Sequence, residues 1–202
     1  MTEVGLPATS RGRATREKLI DAAKTVFAER GFVDARVSHI AKAAHVAYGT
    51  FYTHFESKEA IFYQVADELF REMFAPHEPV AHADESPAER LTHANRVFWD
   101  RYRDRSALMA IVEQVATIDP EFAKLRHQHR AETNARTANS IRHWQQQGLV
   151  PADLNPHTAA QALGAMVDRT LYLRYVLGEN DEPDTAFETV NALAVRALGL
   201  TT

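Results

Sequence analysis

Tyr48, Gly49, Thr50, Tyr52, Thr53 and His54 form a run of hydroxyls and an imidazole with no Lys, Arg, Asp or Glu among them, flanked by Arg36 and Ser38 upstream and Lys58 downstream. An ordinary solvated helix face carries charged pairs. This one carries donors suited to phosphate oxygens and base edges, with Gly49 where a backbone can approach closely. The elements that would position these groups are legible around them. Val37, Ile40, Ala41 and Ala44 make a narrow apolar face at helical spacing, Ala44-His45-Val46 makes a turn, and Val46, Phe51 and Phe55 make a second buried set. Two short helices crossing closely through small residues, with the polar run left outward, describe a helix-turn-helix over Val37 to Phe55. Arg36 and Ser38 then open its first helix, where contacts to a phosphate backbone are usual, and Lys58 opens the next helix on the other side. The competing reading of the same residues is an ordinary three-helix core with a polar outer face.

The charge distribution favours the first reading. The 202-residue chain has a formal net charge of −4. From Ser10 to Lys58, however, nine basic residues face five acidic ones, so a basic N-terminal quarter precedes an acidic body. Such a split suggests one end that meets a polyanion. For Arg11, Arg13 and Arg16 two readings stand side by side: an arm that enters a minor groove, or a tail that only adds charge.

The pattern is helical nearly throughout, with about nine helices and no strand signal. Leu19, Ala23, Val26 and Phe27 stripe a first helix over 15–30, with Thr15 as its cap and Gly31 as its stop. Ser57 caps a helix from Lys58. The stretch 76–87 reads as a loop by its prolines, and Ser86-Pro87 opens two helices that run to about residue 117. Asp119-Pro120 starts a long helix ending before Gly148, Asn155-Pro156 one ending before Gly178, and Glu182-Pro183-Asp184 precedes the last. No apolar run is long enough to span a membrane, and no signal-peptide pattern opens the chain, so a cytoplasmic protein is expected.

The segment from about residue 13 to 65 resembles the TetR family of one-component regulators. The resemblance rests on Leu19-Ile20-Asp21-Ala22-Ala23, Phe27, Gly31-Phe32, Val37, Ile40-Ala41, Ala44, Val46, Gly49-Thr50-Phe51-Tyr52, Phe55 and Ser57-Lys58-Glu59. It implies an all-α fold with a three-helix DNA-binding head and a C-terminal ligand-binding and dimerisation body. The corresponding division is 1–13 as a flexible basic arm, 14–56 as the DNA-binding domain and 57–202 as the effector and dimerisation domain. The family's DNA-contacting positions fall on Arg36, Ser38, Tyr48, Gly49, Thr50, Tyr52, His54 and Lys58, with Tyr52 and His54 toward phosphates and Tyr48 and Thr50 toward bases. Three positions depart from the family pattern. His45 stands where a turn Gly is usual, at a cost on the order of 1 kcal/mol if the residue is left-handed. Ala35 or Arg36 stands at the first cap, which leaves Asp34 to supply it, and Ala47 replaces a common Ser.

In the body the resemblance implies an effector pocket, and the candidate lining is Trp99, Tyr102, Met109, Glu113, Trp144, Met166, Arg169 and Tyr172, with Phe98, Val112 and Ala116 nearby. The same aromatic stripe is equally the pattern of plain core. Glu113 and Arg169 orient a ligand, pair with each other or face solvent. Leu163, Met166, Val167, Thr170, Leu171 and Arg174, then Phe187, Val190, Ala194, Ala197 and Leu198, are the helical stripes through which the last two helices would form a homodimer, with intramolecular packing as the alternative. The absence of cysteine excludes disulfides and thiolate metal sites. His127 and His129, two residues apart, lie on nearly opposite helix faces and do not suit one metal ion. With no catalytic constellation, cofactor loop or metal pattern, the chain reads as no enzyme, with no cofactor. The expected function is a ligand-responsive repressor released from a palindromic double-stranded operator by an unidentified small molecule, the alternative being an activator or a ligand-independent regulator of the same fold.

Overall fold

The computed structural model describes residues 9–75, 85–179 and 183–200. Among these residues the chain is helical with no strand: α1 (Ser10–Asp34), α2 (Val37–Ala43), α3 (Tyr48–Tyr52), α4 (Lys58–Phe74), α5 (Pro87–Asp104), α6 (Ser106–Ile118), α7 (Pro120–Gln146), α8 (Pro156–Tyr175) and α9 (Pro183–Ala197). The expected loop at 76–87 lies outside the described residues over 76–84, as does the expected arm over 1–8.

The helix starts follow from side chains that accept otherwise orphaned N–H groups. At α5 the Ser86 hydroxyl accepts from the Glu89 N–H at 3.3 Å while the Glu89 carboxylate accepts from the Ser86 N–H at 2.7 Å, and Pro87 sits in the first turn. Asp119 accepts from the N–H groups of Glu121 and Phe122 at 3.0 and 3.1 Å to open α7. Asn155 accepts from Thr158 N–H at 3.0 Å to open α8, and Ser57 accepts from Ala60 N–H at 3.1 Å to open α4. The first helix differs from expectation. It begins upstream of Thr15, with the Thr9 hydroxyl accepting from Gly12 N–H at 3.1 Å. Thr15 lies inside it and turns its hydroxyl onto the Arg11 carbonyl at 3.0 Å. Arg11 and Arg13 therefore belong to the first turn of α1 and not to an arm. At the other end Gly31 takes φ 70°, ψ 174°, breaking the helical path as expected.

The chain divides into two compact units, Met1–Glu72 with Ala107–Phe122, and Met73–Ser106 with Ala123–Thr202. The first is built on an aromatic core. The Phe62 ring lies 5.2 Å from Phe27, 4.9 Å from Phe32 and 5.0 Å from Phe122. Leu19, Ile40 and Phe51 are fully buried around it. In the second unit Trp99 packs edge-on to Phe187 at 5.5 Å and donates its indole N–H to the Tyr175 hydroxyl at 3.2 Å. A further cluster gathers Ile141, Trp144, Val150, Val195, Leu198 and Leu200. Val167, Leu171, Phe187, Val190, Ala194 and Leu198, expected at a dimer interface, are buried within the chain itself.

Gly31 separates backbone strain from steric crowding. No atom lies within 4 Å of the position a Cβ would occupy there, yet its dihedrals belong to a region that essentially only glycine visits. Gly31→Ala is expected to destabilise the protein by about 1–3 kcal/mol with no clash to relieve. Urea unfolding of the two proteins measures this; an unchanged midpoint contradicts it.

Candidate functional site

The turn between α2 and α3 is a Schellman closure. His45 N–H donates to the Lys42 carbonyl at 3.1 Å and Val46 N–H to the Ala41 carbonyl at 3.0 Å, with His45 left-handed at φ 55°. The motif common at glycine thus forms with histidine in the same position. α2 docks through Ile40 and Ala41, α3 through Phe51, and Phe55 follows within van der Waals range of the Phe51 ring, centroids 5.8 Å apart. Val37 and Val46, expected in the buried sets, are only half-buried. Arg36 is the residue preceding α2, exposed and extended, and no side chain, Asp34 included, caps that helix.

What α3 presents is then clear. Tyr48 is 56% exposed and Tyr52 47%. Their rings meet edge-on at 5.4 Å and their hydroxyl oxygens are 3.0 Å apart. The hydrogen bond to Tyr48 holds the Tyr52 phenol above its usual pKa, so it remains protonated in neutral solution. One proton joins the two oxygens and the other is left to donate outward. Thr53 is exposed but its hydroxyl donates to the Thr50 carbonyl at 2.7 Å, and Thr50 is half-buried. Ser38 is exposed on α2. Gly49 is exposed, and a Cβ there would meet nothing in the protein. The fold has no need of glycine at that helical position, where it costs up to about 1 kcal/mol relative to alanine.

Three expected positions are engaged inside the unit. Lys58 is half-buried, its ammonium donating to the Phe32 carbonyl at 2.7 Å and the Val33 carbonyl at 3.4 Å while lying 4.4 Å from the Phe32 ring centre. It ties the start of α4 to the end of α1, so the expected phosphate clamp is corrected to a structural link. Arg16 lies over the Phe55 ring at 4.9 Å and donates to Gln64 at 2.8 Å, so it too is no part of an arm. His54, expected to face outward, is buried at 9% exposure, and its Nδ1 has no partner. It follows the last turn of α3, where the chain doubles back over Phe51 and carries the ring inward, a placement that residue spacing alone does not reveal.

The second unit contains a cavity of about 470 Å³. Met73 and Phe74 from the end of α4 and Leu91, Ala94, Asn95 and Phe98 from α5 line one part. Arg130, Thr133, Asn134 and Thr137 from α7 and Leu163, Gly164 and Asp168 from α8 line another. Of the residues expected to line a ligand pocket none lines this cavity, apart from Phe98 in the wider set. Trp99 and Tyr102 are core residues of α5, and Trp144 belongs to the Ile141–Leu198 cluster. Met109 is buried and Glu113 half-buried on α6, in the other unit. Met166 and Tyr172 are half-buried on α8, and exposed Arg169 stacks on the Tyr172 ring at 4.9 Å. Large aromatics fill space, whereas a cavity persists where side chains are small. The usable signal was Ala94, Ala160, Gly164 and Ala165 with Asn95, Asn134 and Asp168 among them. Among the described residues there is no group of three His, Cys, Asp or Glu placed to hold a metal ion, and no helix is long and apolar enough to cross a membrane.

His54 generates a pH effect. Burial, and then the nearby Arg16 charge, lower its pKa below the ordinary value of 6.5. The unfolded chain therefore binds a proton that the folded chain refuses, and stability present above that ordinary value is lost as pH falls through it toward the lowered one. Urea midpoints at pH 7.5 and 5.5 are expected to differ more in the native protein than in His54→Leu. An equal or smaller difference in the native protein contradicts the assignment.

Known proteins agree with this geometry. Residues 19–65 match the model of the bacterial regulatory proteins, tetR family. The chain is 29% identical to the HTH-type transcriptional regulator UidR of Escherichia coli K12 over 198 residues, 94% of this chain and 93% of that one. It is 45% identical over 58 residues, 29% of each chain, to the HTH-type transcriptional repressor DhaR of Mycobacterium sp. strain GP1. Its fold matches a transcriptional regulator from Saccharomonospora viridis, crystallised with choline, with a TM-score of 0.77 at 20% identity, covering 91% of this chain and 96% of that one. The family and these relatives are regulators of transcription and not enzymes. With a helix-turn-helix of this build inside the matched segment, residues 19–65 carry a DNA-binding domain of the tetR family, in a chain similar over most of its length to regulators of transcription.

Proposed function

We propose that the protein is a cytoplasmic repressor that binds a palindromic operator as a homodimer and leaves it when a small molecule occupies the cavity of the second unit. The observation that carries the DNA-binding surface is Gly49: an exposed helical glycine that nothing in the fold requires, beside two exposed tyrosines whose hydroxyls are held 3.0 Å apart. A missing Cβ at that place suits the close approach of a backbone to DNA. Arg36, Ser38, Tyr48, Gly49, Thr50 and Tyr52 are the contacts proposed; His54 and Lys58 support them from inside. Functionally the head would comprise 14–56 and the effector and dimer part 57–202.

Dimerisation through α8 and α9 is supported by the apolar groups left on their exposed sides. Leu177, just past α8, is 54% exposed and Leu193 is 48% exposed, with Ala162 and Ala197 also exposed. A two-fold dimer places two recognition helices about one turn of DNA apart and reads a two-fold site. Repression is supported by relatives named as repressors, among them DhaR. A ligand releases DNA only to the extent that it binds the non-binding arrangement better; a shift from 1:99 to 99:1 needs about 10⁴-fold preference.

Fluorescence anisotropy with duplexes from the DNA upstream of the protein's own gene tests the reading. Binding is expected to weaken steeply with salt. Tyr48→Ala is expected to alter sequence preference. Gly49→Ala is expected to weaken DNA binding at least tenfold while raising thermal stability slightly, a split that a purely structural glycine would not produce. Absence of salt-sensitive binding to these or to selected duplexes overturns the proposal.

A further inference from the structure

The cavity's polar groups are not interchangeable, because a directed chain of hydrogen bonds sets one of them. The Thr92 hydroxyl donates to the Ala88 carbonyl at 2.8 Å, so toward Asn191 its oxygen can only accept. Asn191 therefore turns its amide nitrogen to Thr92, at 2.9 Å, and its oxygen to Asn95. That oxygen accepts from the Asn95 amide nitrogen at 3.0 Å. Asn95 lines the cavity and Asn191 does not, so one N–H of Asn95 is committed to the relay, which fixes the amide's orientation and leaves its oxygen uncommitted toward a ligand.

The neighbouring polar groups can also accept. The Thr137 hydroxyl donates to the Thr133 carbonyl at 3.3 Å, leaving lone pairs. Asn134 makes no hydrogen bond among the described residues, and its Oδ1 lies 3.4 Å from where a Cβ at Gly164 would stand. The charged groups are already engaged. Arg130 pairs with Asp168 at 2.5 Å, and Arg136 donates to the Phe74 carbonyl at 2.8 Å and the Thr133 hydroxyl at 3.3 Å. A cation entering would shed water without an uncommitted carboxylate to receive it, whereas the exposed Arg136, bound only to neutral oxygens, keeps its charge.

We propose that the cavity selects a mostly apolar, non-cationic molecule carrying a hydrogen-bond donor such as a hydroxyl, received by Asn95 Oδ1 with Asn134 beside it. The inference rests on the cavity being the effector site. Asn191 is a positioning residue, acting only through the direction in which it holds the Asn95 amide.

Titration calorimetry on the full chain with four probes of one chain length tests it: 1-octanol, methyl octyl ether, octanoate and octylammonium. 1-Octanol is expected to bind about three- to tenfold more tightly than the ether, as one hydrogen bond allows, and more tightly than octylammonium. Asn191→Leu, which leaves the lining intact, is expected to reduce the alcohol-over-ether preference toward parity, and Asn95→Leu to abolish it. Gly164→Leu and Ala94→Leu, on two of the helices that line the cavity, are expected to remove binding of every probe. Tighter binding of octylammonium, or a preference unchanged in Asn95→Leu, overturns the ligand class while leaving the cavity as a site. Equal binding to the two filled variants, or no binding of any probe to the native protein, overturns the effector-site reading and this inference with it.

Discussion

A helix of five residues cannot hold itself together in water, and the surface proposed to meet DNA stands on one. Helix nucleation fixes several residues for each hydrogen bond gained, so α3 depends on what it buries. Phe51 supplies that anchorage. It is fully buried, with Phe55 beside it under the Arg16 guanidinium. Truncating such a ring costs on the order of 3–5 kcal/mol, more than a segment of this length can recover by itself. With Phe51 pinned, the helical period turns Tyr48 and Tyr52 outward together and brings their hydroxyls within hydrogen-bonding distance.

The same anchorage explains why some polar groups of the head do not face solvent. Closing the chain behind α3 carries His54 inward, where burial and Arg16 keep it neutral. Lys58 is drawn to carbonyls freed where Gly31 interrupts α1, since a helix end leaves acceptors that a nearby ammonium can satisfy. Both residues serve the recognition surface by holding its frame. The second unit solves a different problem. It keeps space open by placing small side chains on α5 and α8 opposite the polar face of α7. The relay from Thr92 through Asn191 to Asn95 then gives that space a fixed hydrogen-bonding sense.

Much of this was legible in the residues themselves because it obeys local rules. Ser57, Ser86, Asp119 and Asn155 cap the helices they precede, and Gly31 and Gly148 take positive φ where helices stop. The spacing of Ile40, Ala41, Ala44, Phe51 and Phe55 identified a helix-turn-helix, and the pattern around it the family. Thr9 was missed as the first cap because Thr15 offers the same chemistry in a helical sequence, and α1 continues upstream through Arg11 and Arg13 in spite of Gly12.

The sequence by itself determined the helices and the position of the turn, because caps, periods and turn chemistry act over a few residues. Only the tertiary structure decided that His54 is buried, that Lys58 is spoken for, and that Gly49 is required by nothing within the protein. It also decided where the cavity lies. An empty space is a property of several helices at once, set by the small side chains they turn toward one another. The aromatic residues that stand out in the sequence are the ones that fill such space.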